Sequence, residues 1–407
     1  MKPGQQQGED QSVLVIGAGI FGVTASIELR RRGYAVTLLD AGAVPHPLAA
    51  STDISKVCRM EYGKDEAYMA LMEHAREGWL EWDARWVASG QLPLYEEDGV
   101  VMVCRRPMAP GGYEHESFEL LKQRGHTPQR LDQRELERRF PAWSSGAYVD
   151  GFFHPHGGYA HSGRVVEALL SEARALGVQI EENRAVQRLL EDGNGLIDAR
   201  GDELRADAVV VAAGSWTYKL VPELAPCMRA TGHAVFHLRP ADEALFEAQR
   251  FPVFTADIAR TGFYGFPLHP RERIVKIALH DLGAAIDPDA PRAIDASHEA
   301  RLRAFLPETF PALVDAPVTY TRLCLYSDTQ DEDFWIAAHP ERPHLIVAAG
   351  GSGHAFKFAP LLGELIADAV EGKSNDGSEK FRWRSDVRLA VGREAARCHA
   401  GEANGSE

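Results

Sequence analysis

The sequence predicts a mixed α/β (α+β) fold, in which a parallel, helix-covered sheet is interrupted by a second, largely antiparallel domain. Residues 12–22 join a run of aliphatic residues to the pattern G-x-G-x-x-G, which is typical of a buried strand, a tight turn and a helix. Two further buried strands are predicted far along the chain, at 206–214 and 344–349. The segment 225–323 between them is rich in aromatic residues and alternates polar with apolar, which predicts mostly antiparallel strands.

The glycine pattern indicates a dinucleotide-binding turn. Gly17 permits the tight turn, Gly19 lets the backbone approach a pyrophosphate, and Gly22 lets the helix pack against the strand. A second strand, residues 35–39, ends at Asp40, where an acid can meet a ribose hydroxyl. The alternative is an ordinary strand–turn–helix. The pattern does not distinguish FAD from NAD.

Composition limits the partners. The chain has 407 residues with 44 Lys and Arg against 59 Asp and Glu, a net charge of −15 that argues against binding to nucleic acid or an anionic membrane. Its cysteines are few, odd in number and without C-x-x-C spacing, which predicts a reducing compartment and no metal site. Residues 1–11 lack the apolar core of a signal peptide, and no apolar run reaches membrane length. We therefore expect a cytoplasmic protein.

The predicted elements divide the chain into discontinuous domains. The cofactor-binding domain is expected to comprise 1–92, 155–222 and 324–385, the substrate domain 93–154 and 223–323, and a C-terminal tail 386–407. Residues 93–106 are predicted to form a hairpin at the start of the substrate domain. Ser162 is expected to cap a helix over 164–176.

Several motifs together resemble one family, the D-amino acid oxidase-like FAD oxidoreductases. Within it the chain is similar to the branch of monomeric sarcosine oxidase, pipecolate oxidase and the fructosyl-amino-acid oxidases (amadoriases). The resemblance covers residues 12–384 and is carried by segments 17–40, 213–216, 264–267, 324–326 and 350–357. It implies FAD as cofactor and a p-hydroxybenzoate hydroxylase-like architecture, with a Rossmann-type FAD-binding domain and an inserted antiparallel-sheet substrate domain. We expect a monomer.

The resemblance assigns cofactor-binding residues along the whole chain. These are Gly17, Gly19, Ile20, Phe21, Gly22, Asp40, Ala41, Ser51, Thr52, Lys56, Val186, Gly214, Trp216, Cys324, Gly351, Gly353, His354 and Lys357. In this branch the cysteine at the place of Cys324 is bonded through sulfur to the flavin, and a thiolate is a suitable nucleophile for that bond. The alternative is a buried structural cysteine.

The resemblance also assigns catalytic residues: Lys276, His280, Tyr264 and Tyr326. Lys276 matches a lysine that activates oxygen, where a fixed positive charge stabilises the negative charge of reduced oxygen. Strand alternation alone instead predicts an exposed Lys276. His280 could be an ordinary packed or exposed histidine, and either tyrosine could belong to the core.

Arg59 and Lys357 match the pair that holds the substrate carboxylate in sarcosine oxidase, a role suited to a guanidinium and an ammonium. The alternative for Arg59 is a surface ion pair with Glu61 or Asp65. The site departs from both relatives: sarcosine oxidases carry arginine where Lys56 stands, and residues 52–57 look like an amadoriase. Amadoriases carry glutamate where His280 stands and arginine where His354 stands. The site is a hybrid, and neither sarcosine nor a fructosyl amino acid is assigned as substrate.

We therefore predict an FAD-dependent amine oxidase. It would oxidise the C–N bond of a carboxylate-bearing secondary amine, either an N-methyl, N-alkyl or cyclic amino acid, to an imine, and reduce O2 to hydrogen peroxide. The alternatives are a fructosyl-amino-acid oxidase, a dehydrogenase of the same fold with another acceptor, and a flavin-bearing subunit without turnover. An NAD dehydrogenase would not need the chain beyond residue 214.

Overall fold

Helices and strands follow one another along most of the chain in the computed structural model, which describes residues 11–384 and 396–397. The strands of these residues are β1 Ser12–Ile16, β2 Ala35–Leu39, β3 Lys56–Cys58, β4 Tyr95–Glu96, β5 Val100–Cys104, β6 Gln129–Asp132, β7 Asp150–His154, β8 Gly158–Ala160, β9 Gln179–Glu181, β10 Val186–Leu189, β11 Gly195–Asp198, β12 Glu203–Arg205, β13 Ala208–Val211, β14 Met228–Leu238, β15 Val253–Ala256, β16 Phe263–Gly265, β17 Val275–Leu279, β18 Ala284–Ala285, β19 Val318–Thr329, β20 Trp335–Ala338 and β21 Leu345–Ala349. The α-helices are α1 Ile20–Arg31, α2 Glu66–Ala88, α3 Tyr113–Gln123, α4 Gln133–Arg139, α5 Ser162–Ala175, α6 Thr217–Leu220, α7 Ile258–Thr261, α8 Ala296–Thr309 and α9 Ala359–Glu371.

The described chain forms two compact units, each built from separated stretches. The first unit comprises residues 11–54, 161–230 and 325–384, and the second comprises 55–160 and 231–324, with 396–397. The proposed tail, 386–407, lies outside the described residues apart from 396–397. Residues 55–92, which the sequence analysis placed in the cofactor-binding domain, fall within the second unit. One reason is that β3 and β4 both pair with β8, so that Lys56 and Tyr95 lie opposite Ala160.

The first unit has a six-stranded sheet in the order β20-β21-β13-β1-β2-β9. All neighbouring strands are parallel except β20, which is antiparallel to β21. Val13–Ile16 of β1 are all buried, as a strand covered on both faces requires. Helices α5 and α9 pack on α1, and a Cβ on Gly363 of α9 would lie 2.6 Å from the Thr24 carbonyl oxygen of α1. This arrangement confirms the predicted Rossmann-type layer.

A second, three-stranded sheet of the first unit contains β10, β11 and β12 in chain order. Its strands are antiparallel, and Leu189 lies opposite Leu196. Gly193 adopts a positive φ of 77° at the turn between β10 and β11. Residues 192–195 therefore form the turn of a hairpin that joins β10 to β11.

The second unit is organised around a nine-stranded sheet. Its order is β18-β14-β17-β16-β15-β5-β7-β6, and β19 pairs with β14. Neighbouring strands in this order are antiparallel as predicted, except that β15 runs parallel to β5. A buried aromatic cluster covers this sheet: the Trp143 ring contacts Phe254 and Phe310 edge-to-face at 5.3 and 4.6 Å between centroids. The aromatic residues of segment 225–323 thus form the core of this unit.

Two local predictions are wrong. Residues 93–106 do contain two strands, but they do not form a hairpin, because β5 is completely buried and pairs with β7 and β15 on its two sides. Ser162 is the first residue of α5 and not its cap. Its hydroxyl donates to the carbonyl oxygen of Asp53, so the side chain ties the helix to a loop of the same unit.

No helix among the described residues combines the length and apolar character needed to cross a bilayer. Within the same residues, no group of three or more His, Cys, Asp or Glu side chains is placed to hold a metal ion.

Glu114, in the first turn of α3, is a buried carboxyl group of the second unit. Burial raises its pKa from the usual 4.5 to about 7, although hydrogen bonds from backbone amides oppose the shift, and the Asp257 carboxylate adds to it. The unfolded chain ionises this group near pH 4.5, whereas the folded chain ionises it only near pH 7. The free energy of unfolding is therefore highest, as far as Glu114 determines it, below pH 4.5. It falls as the pH rises through 7, by roughly 3 kcal/mol in all.

A Glu114→Gln variant removes the charge that the fold disfavours. We expect its free energy of unfolding at pH 8 to exceed that of the wild type by about 2–3 kcal/mol, with little difference at pH 4.5. Urea unfolding at the two pH values measures this. The matched control is Glu119→Gln, on the exposed face of the same helix, which should change neither value. A Glu114→Gln variant with wild-type pH dependence would contradict the assignment.

Candidate active site

The glycine-rich turn of the first unit follows β1 directly. Gly17 has a φ of 102°, and its amide donates to the Leu39 carbonyl oxygen at 2.7 Å. A Cβ on Gly17 would lie 2.4 Å from the Ala212 carbonyl oxygen, and one on Gly22 would lie 1.8 Å from the Gly17 carbonyl oxygen. The polypeptide itself therefore requires glycine at both positions, because a methyl group would overlap the backbone.

Gly19 differs from its two neighbours in the motif. It is the N-cap of α1 with a φ of −75°, which any residue can adopt, and a Cβ there would meet only Ser51 Oγ, at an ordinary 3.5 Å. The fold does not need a glycine here. The missing side chain leaves room beside the N-terminus of α1, where backbone N–H groups and the helix dipole favour a phosphate. The turn therefore fits the pyrophosphate of FAD.

These contacts separate folding from cofactor binding. We expect Gly22→Ala to destabilise the protein by at least about 3 kcal/mol, since the backbone must move. Gly19→Ala should change the stability by less than about 1 kcal/mol yet lower the ratio of flavin to protein, because its methyl group occupies the phosphate position. Urea unfolding and the flavin absorbance of the purified variants measure the two effects. A Gly19→Ala protein with full flavin content would count against a phosphate site beside Gly19.

Asp40 and Ser51 hold the turn from the side. Asp40 follows β2, and its carboxylate accepts hydrogen bonds from the amides of Ala18 at 2.8 Å and Gly42 at 3.0 Å. Its oxygens keep further lone pairs for a ribose hydroxyl. Ser51 Oγ accepts from the Ile20 amide at 3.0 Å and so caps α1. Asp40 thus also shapes the phosphate turn, a role that the sequence analysis did not predict.

The other predicted cofactor contacts of the first unit lie on several loops. Thr52 donates its hydroxyl to the carbonyl oxygen of His46 at 2.6 Å, so this side chain stabilises its own loop. Gly214 follows β13 with a φ of 52°, and a Cβ there would meet open space; it begins a 3-10 turn that ends at Trp216. Ala41 is exposed after β2, whereas Val186 lies on the separate three-stranded sheet. The glycine turn and the Gly214 loop both follow strands of the parallel sheet.

A second glycine-rich turn follows β21. Gly353 has a φ of 78°, and a Cβ there would lie 2.1 Å from the Tyr326 ring, so glycine is needed for that ring to pack. A Cβ on Gly351 would approach the Phe21 ring of α1 to 3.4 Å. His354 is buried, and its Nε2 lies 3.0 Å from the Glu332 carbonyl oxygen. The 350–357 motif is therefore assembled with Phe21 and Tyr326 within one unit.

Lys357 is buried at the end of this segment. It lies in a short 3-10 turn, Phe356–Phe358, that leads into α9. Its Nζ is 6.0 Å from the centre of the Phe358 ring. A buried ammonium is costly, which makes Lys357 a candidate functional residue on physical grounds.

Cys324 belongs to the second unit and lies beside a cation. Its side chain is buried on β19, and its Sγ is 3.8 Å from Lys56 Nζ. Leu323 packs against the Gly232 position on the opposite face of the strand, so Arg322 and Cys324 point to the same side. Lys56 thus places a positive charge beside the thiol.

Lys276 is only 1% exposed, although strand alternation predicts an exposed side chain. β17 is covered on both faces, so its polar position is buried together with its apolar ones. The Nζ of Lys276 donates to the Ser55 carbonyl oxygen at 2.6 Å and lies 4.7 Å from the centre of the Phe266 ring. Ser55 immediately precedes Lys56, so the chain links the surroundings of Lys276 to those of Cys324.

Tyr264 and His280 lie on neighbouring parts of the same sheet. The Tyr264 residue of β16 pairs with Ala278 of β17, two residues before His280. Their rings meet edge-on, with 6.4 Å between centroids. His280 is buried, whereas Tyr264 is half-buried. The second unit therefore brings Tyr264, Lys276 and His280 together on β16, β17 and the residue that follows them.

Arg59 is 4% exposed and is held by aromatic residues. Its guanidinium carbon lies 5.5 Å from the Tyr62 ring centre and 5.7 Å from that of Tyr113. Its Nη1 donates to the Glu61 carbonyl oxygen and, at 2.5 Å, to the Tyr113 hydroxyl. The proposed alternative, a surface ion pair, is wrong for a side chain this buried. Such a rigid guanidinium suits recognition of a planar carboxylate.

Sequence reasoning missed two features of the second unit. Ser55 is buried, and its Oγ has no hydrogen-bond partner among the described residues. Its carbonyl oxygen, in contrast, accepts a hydrogen bond from Lys276 Nζ. Glu61, treated in the sequence only as a partner for Arg59, is completely buried and bonded to His154. No local sequence signal identifies this pair, because the two residues lie far apart in the chain.

Comparisons with known proteins identify the family of the chain. The family model described as FAD dependent oxidoreductase (DAO) matches residues 12–369. Monomeric sarcosine oxidase of Bacillus sp. (strain B-0618) is 27% identical over 374 residues, which cover 89% of this chain and 93% of that protein. N-methyl-L-tryptophan oxidase of Salmonella arizonae is 30% identical over 361 residues, covering 88% and 93%. The crystal structure of Amadoriase I, the fructosyl amine:oxygen oxidoreductase of Aspergillus fumigatus, superposes with a TM-score of 0.79 at 27% identity and covers 93% of this chain and 90% of that one.

Proposed function

The chain belongs to the FAD dependent oxidoreductase family, and from this membership we propose that it is an amine oxidase acting on a carboxylate-bearing secondary amine. The family resemblance predicted from the sequence motifs is thereby confirmed. The proposed substrates are N-methyl, N-alkyl or cyclic amino acids. The C–N bond is oxidised to an imine, which water hydrolyses, and O2 is reduced to hydrogen peroxide.

The observation that carries this proposal is the burial of Lys276. An ammonium group in the middle of a core strand costs stability, so its presence indicates a function. The carbonyl oxygen of Ser55 and the face of Phe266 fix its position. A fixed positive charge in a buried site stabilises the negative charge that develops on oxygen during reduction.

Bound FAD supplies the two-electron redox chemistry, and the protein contributes binding and orientation. The glycine turn with Gly19, Asp40 and Ser51 is proposed to hold the dinucleotide. Arg59 is proposed to bind the substrate carboxylate, since Tyr62 and Tyr113 fix its guanidinium. The resemblance gives Lys357 the same role as a second cation, and gives His280, Tyr264 and Tyr326 positions near the substrate.

We further propose that Cys324 is bonded through its sulfur to the flavin. Support comes from the position of Lys56 Nζ at 3.8 Å and of Arg322 on the same strand face. A positive charge at this position would stabilise negative charge that develops on a reacting sulfur. Lys56 replaces the arginine of sarcosine oxidases and keeps its positive charge.

A monomer in the cytoplasm remains our proposal for state and location. The cysteines of the described residues, Cys58, Cys104, Cys227 and Cys324, are all free and buried, which supports a reducing compartment. Size-exclusion chromatography with light scattering measures the state, and a mass of about 45 kDa is expected.

The experiment that tests the function is a screen of amines by peroxide release. Each N-methyl amino acid is paired with its amide, and pipecolate and fructosyl amino acids are included. Oxidation of a carboxylate-bearing secondary amine in preference to its amide would support the proposal, whereas peroxide from fructosyl amino acids alone would favour the second candidate, a deglycating oxidase. The similarity to Amadoriase I supports that candidate. Flavin reduction that air reverses only slowly would instead favour a dehydrogenase, and flavin that no amine reduces would favour a subunit without turnover.

A further inference from the structure

Two ionisable side chains of the second unit, Glu61 and His154, are completely buried and lie beside Arg59. Nδ1 of His154, the last residue of β7, lies 2.9 Å from Glu61 Oε1. Both side chains are 0% exposed. Glu61 Oε2 and His154 Nε2 have no other hydrogen-bond partner among the described residues. The two groups therefore satisfy each other and almost nothing else.

Glu61 is held as a carboxylate despite its burial. Burial by itself would raise the pKa of Glu61, but the hydrogen bond and charge of His154 and the charge of Arg59 outweigh it and hold that pKa below its usual range. A buried carboxylate is tolerated only with compensation, because an unpaired charge in the interior is expensive. His154 is the closest group that can compensate it.

Arg59 is attached to the same residue. The Glu61 carbonyl oxygen accepts hydrogen bonds from Arg59 Nη1 and, at 2.7 Å, from the Tyr113 hydroxyl. The backbone of Glu61 thus fixes the guanidinium, while its carboxylate lies close enough to feel the charge of Arg59. This coupling is reciprocal, so the charge of Glu61 also acts on Arg59. An uncompensated Glu61 would compete with any carboxylate that approaches the guanidinium.

The surroundings of the pair contain further charged and titratable groups. The His154 ring contacts those of His126, before β6, and His156, after β7, edge-on at 5.3 and 5.7 Å. Beyond them, Glu73 of α2 binds His126 at 2.8 Å and is itself paired with Arg124 at 2.6 Å.

On the other side, Arg76 of α2 and Glu97 form an ion pair whose charges act on His156 in opposite directions. Each outer charge in this cluster is therefore balanced locally. The charge on Glu61 is therefore compensated mainly by His154 and Arg59.

We propose that His154 determines the affinity of Arg59 for the substrate carboxylate by neutralising Glu61 as an imidazolium. The inference rests on the proposed function, in which Arg59 is the carboxylate-binding residue. With Glu61 neutralised, the charge of Arg59 acts on the substrate. Without His154, the carboxylate of Glu61 partly cancels the charge of Arg59. His154 is thus a positioning and charge-balancing residue and does not touch the substrate.

The two single variants are expected to act in opposite directions. His154→Gln leaves Arg59 as the only cation that compensates Glu61, and it should raise KM for a carboxylate-bearing substrate about 10-fold or more, with kcat changed less than about 3-fold. Glu61→Gln removes the competing charge and should lower KM. The double variant, without either charge, should return KM to within about 3-fold of the wild type.

The test uses the holoenzyme with the fastest substrate of the amine screen and its primary amide. The amide carries no negative charge, so its KM should not change in any of the three variants. Thermal unfolding of each variant is recorded alongside. Should His154→Gln fail to fold, Glu61→Gln and the double variant still decide, because a purely structural pair predicts a raised KM for both.

The outcomes separate this inference from the proposed function. If the wild type prefers the carboxylate but both single variants raise KM, or if the amide is affected equally, the pair is structural and the inference is wrong. If the wild type oxidises the amide as well as the carboxylate, the carboxylate site itself is wrong and the inference with it. Opposite shifts that cancel in the double variant would support both.

Discussion

Replacement of Cys324 by alanine is expected to make the flavin fully releasable when the protein is denatured in acid. After acid precipitation the wild-type pellet should be yellow, whereas the Cys324→Ala pellet should be colourless and the flavin should appear in the supernatant. The reason is that a thioether survives acid denaturation, while every noncovalent contact of the cofactor is lost on unfolding. Absorbance spectra of pellet and supernatant measure the result.

The matched control for this experiment is Cys104→Ala. Cys104 is likewise buried in a strand of the second unit. Burial raises the pKa of its thiol, and neighbouring carboxylates raise it further, so it is a poor nucleophile. Its replacement should leave the pellet yellow. A wild-type pellet without flavin would remove Cys324 from the list of cofactor ligands.

Lys276→Met is expected to separate the two half-reactions. Without the buried ammonium, reoxidation of the flavin by oxygen should slow by about 100-fold or more, as for loss of one preorganised electrostatic group. Reduction by the amine should change by less than about 5-fold, because the lysine is assigned to oxygen and not to the substrate. Stopped-flow absorbance measures the two rates separately. Methionine keeps the length and apolar stem of the side chain.

The exposed Lys122, which pairs with Glu119 on the surface of α3, provides the control. Lys122→Met should alter neither rate. Equal slowing of both half-reactions in Lys276→Met would indicate that the lysine supports the site as a whole. That outcome would contradict its role in oxygen activation, and a normal rate of reoxidation would do so as well.

The fold could be predicted wherever the signal was local. The G-x-G-x-x-G turn requires glycines at 17 and 22 for steric reasons that belong to the motif itself. Helices α2 and α9 also carry local signals, because both have apolar spacing and flanking residues that define an end: Asp65 caps α2, and Gly372 ends α9. The hairpin at 93–106 was wrong, since the partners of β5 come from β7 and β15, at distances along the chain that local patterns do not encode.

The chemistry of the site was less accessible from the sequence. Strand alternation predicted an exposed Lys276, because the sequence does not show that both faces of β17 are covered. The resemblance, and not the periodicity, identified it. Glu61 and His154 were not identified, since the pairing of two buried charges depends on a contact between distant segments. The contact between Lys56 Nζ and Cys324 Sγ, at 3.8 Å, was not predicted for the same reason, because the two residues lie far apart in the chain.

Anaerobic mixing of the purified holoenzyme with N-methyl amino acids tests the central claim most directly. Oxidation of a carboxylate-bearing secondary amine predicts that the visible absorbance of the oxidised flavin bleaches in a single turnover. Admission of oxygen should then restore it rapidly, with one hydrogen peroxide formed per flavin. Flavin that no carboxylate-bearing secondary amine bleaches, or that remains bleached in air, would contradict the proposed amine oxidase.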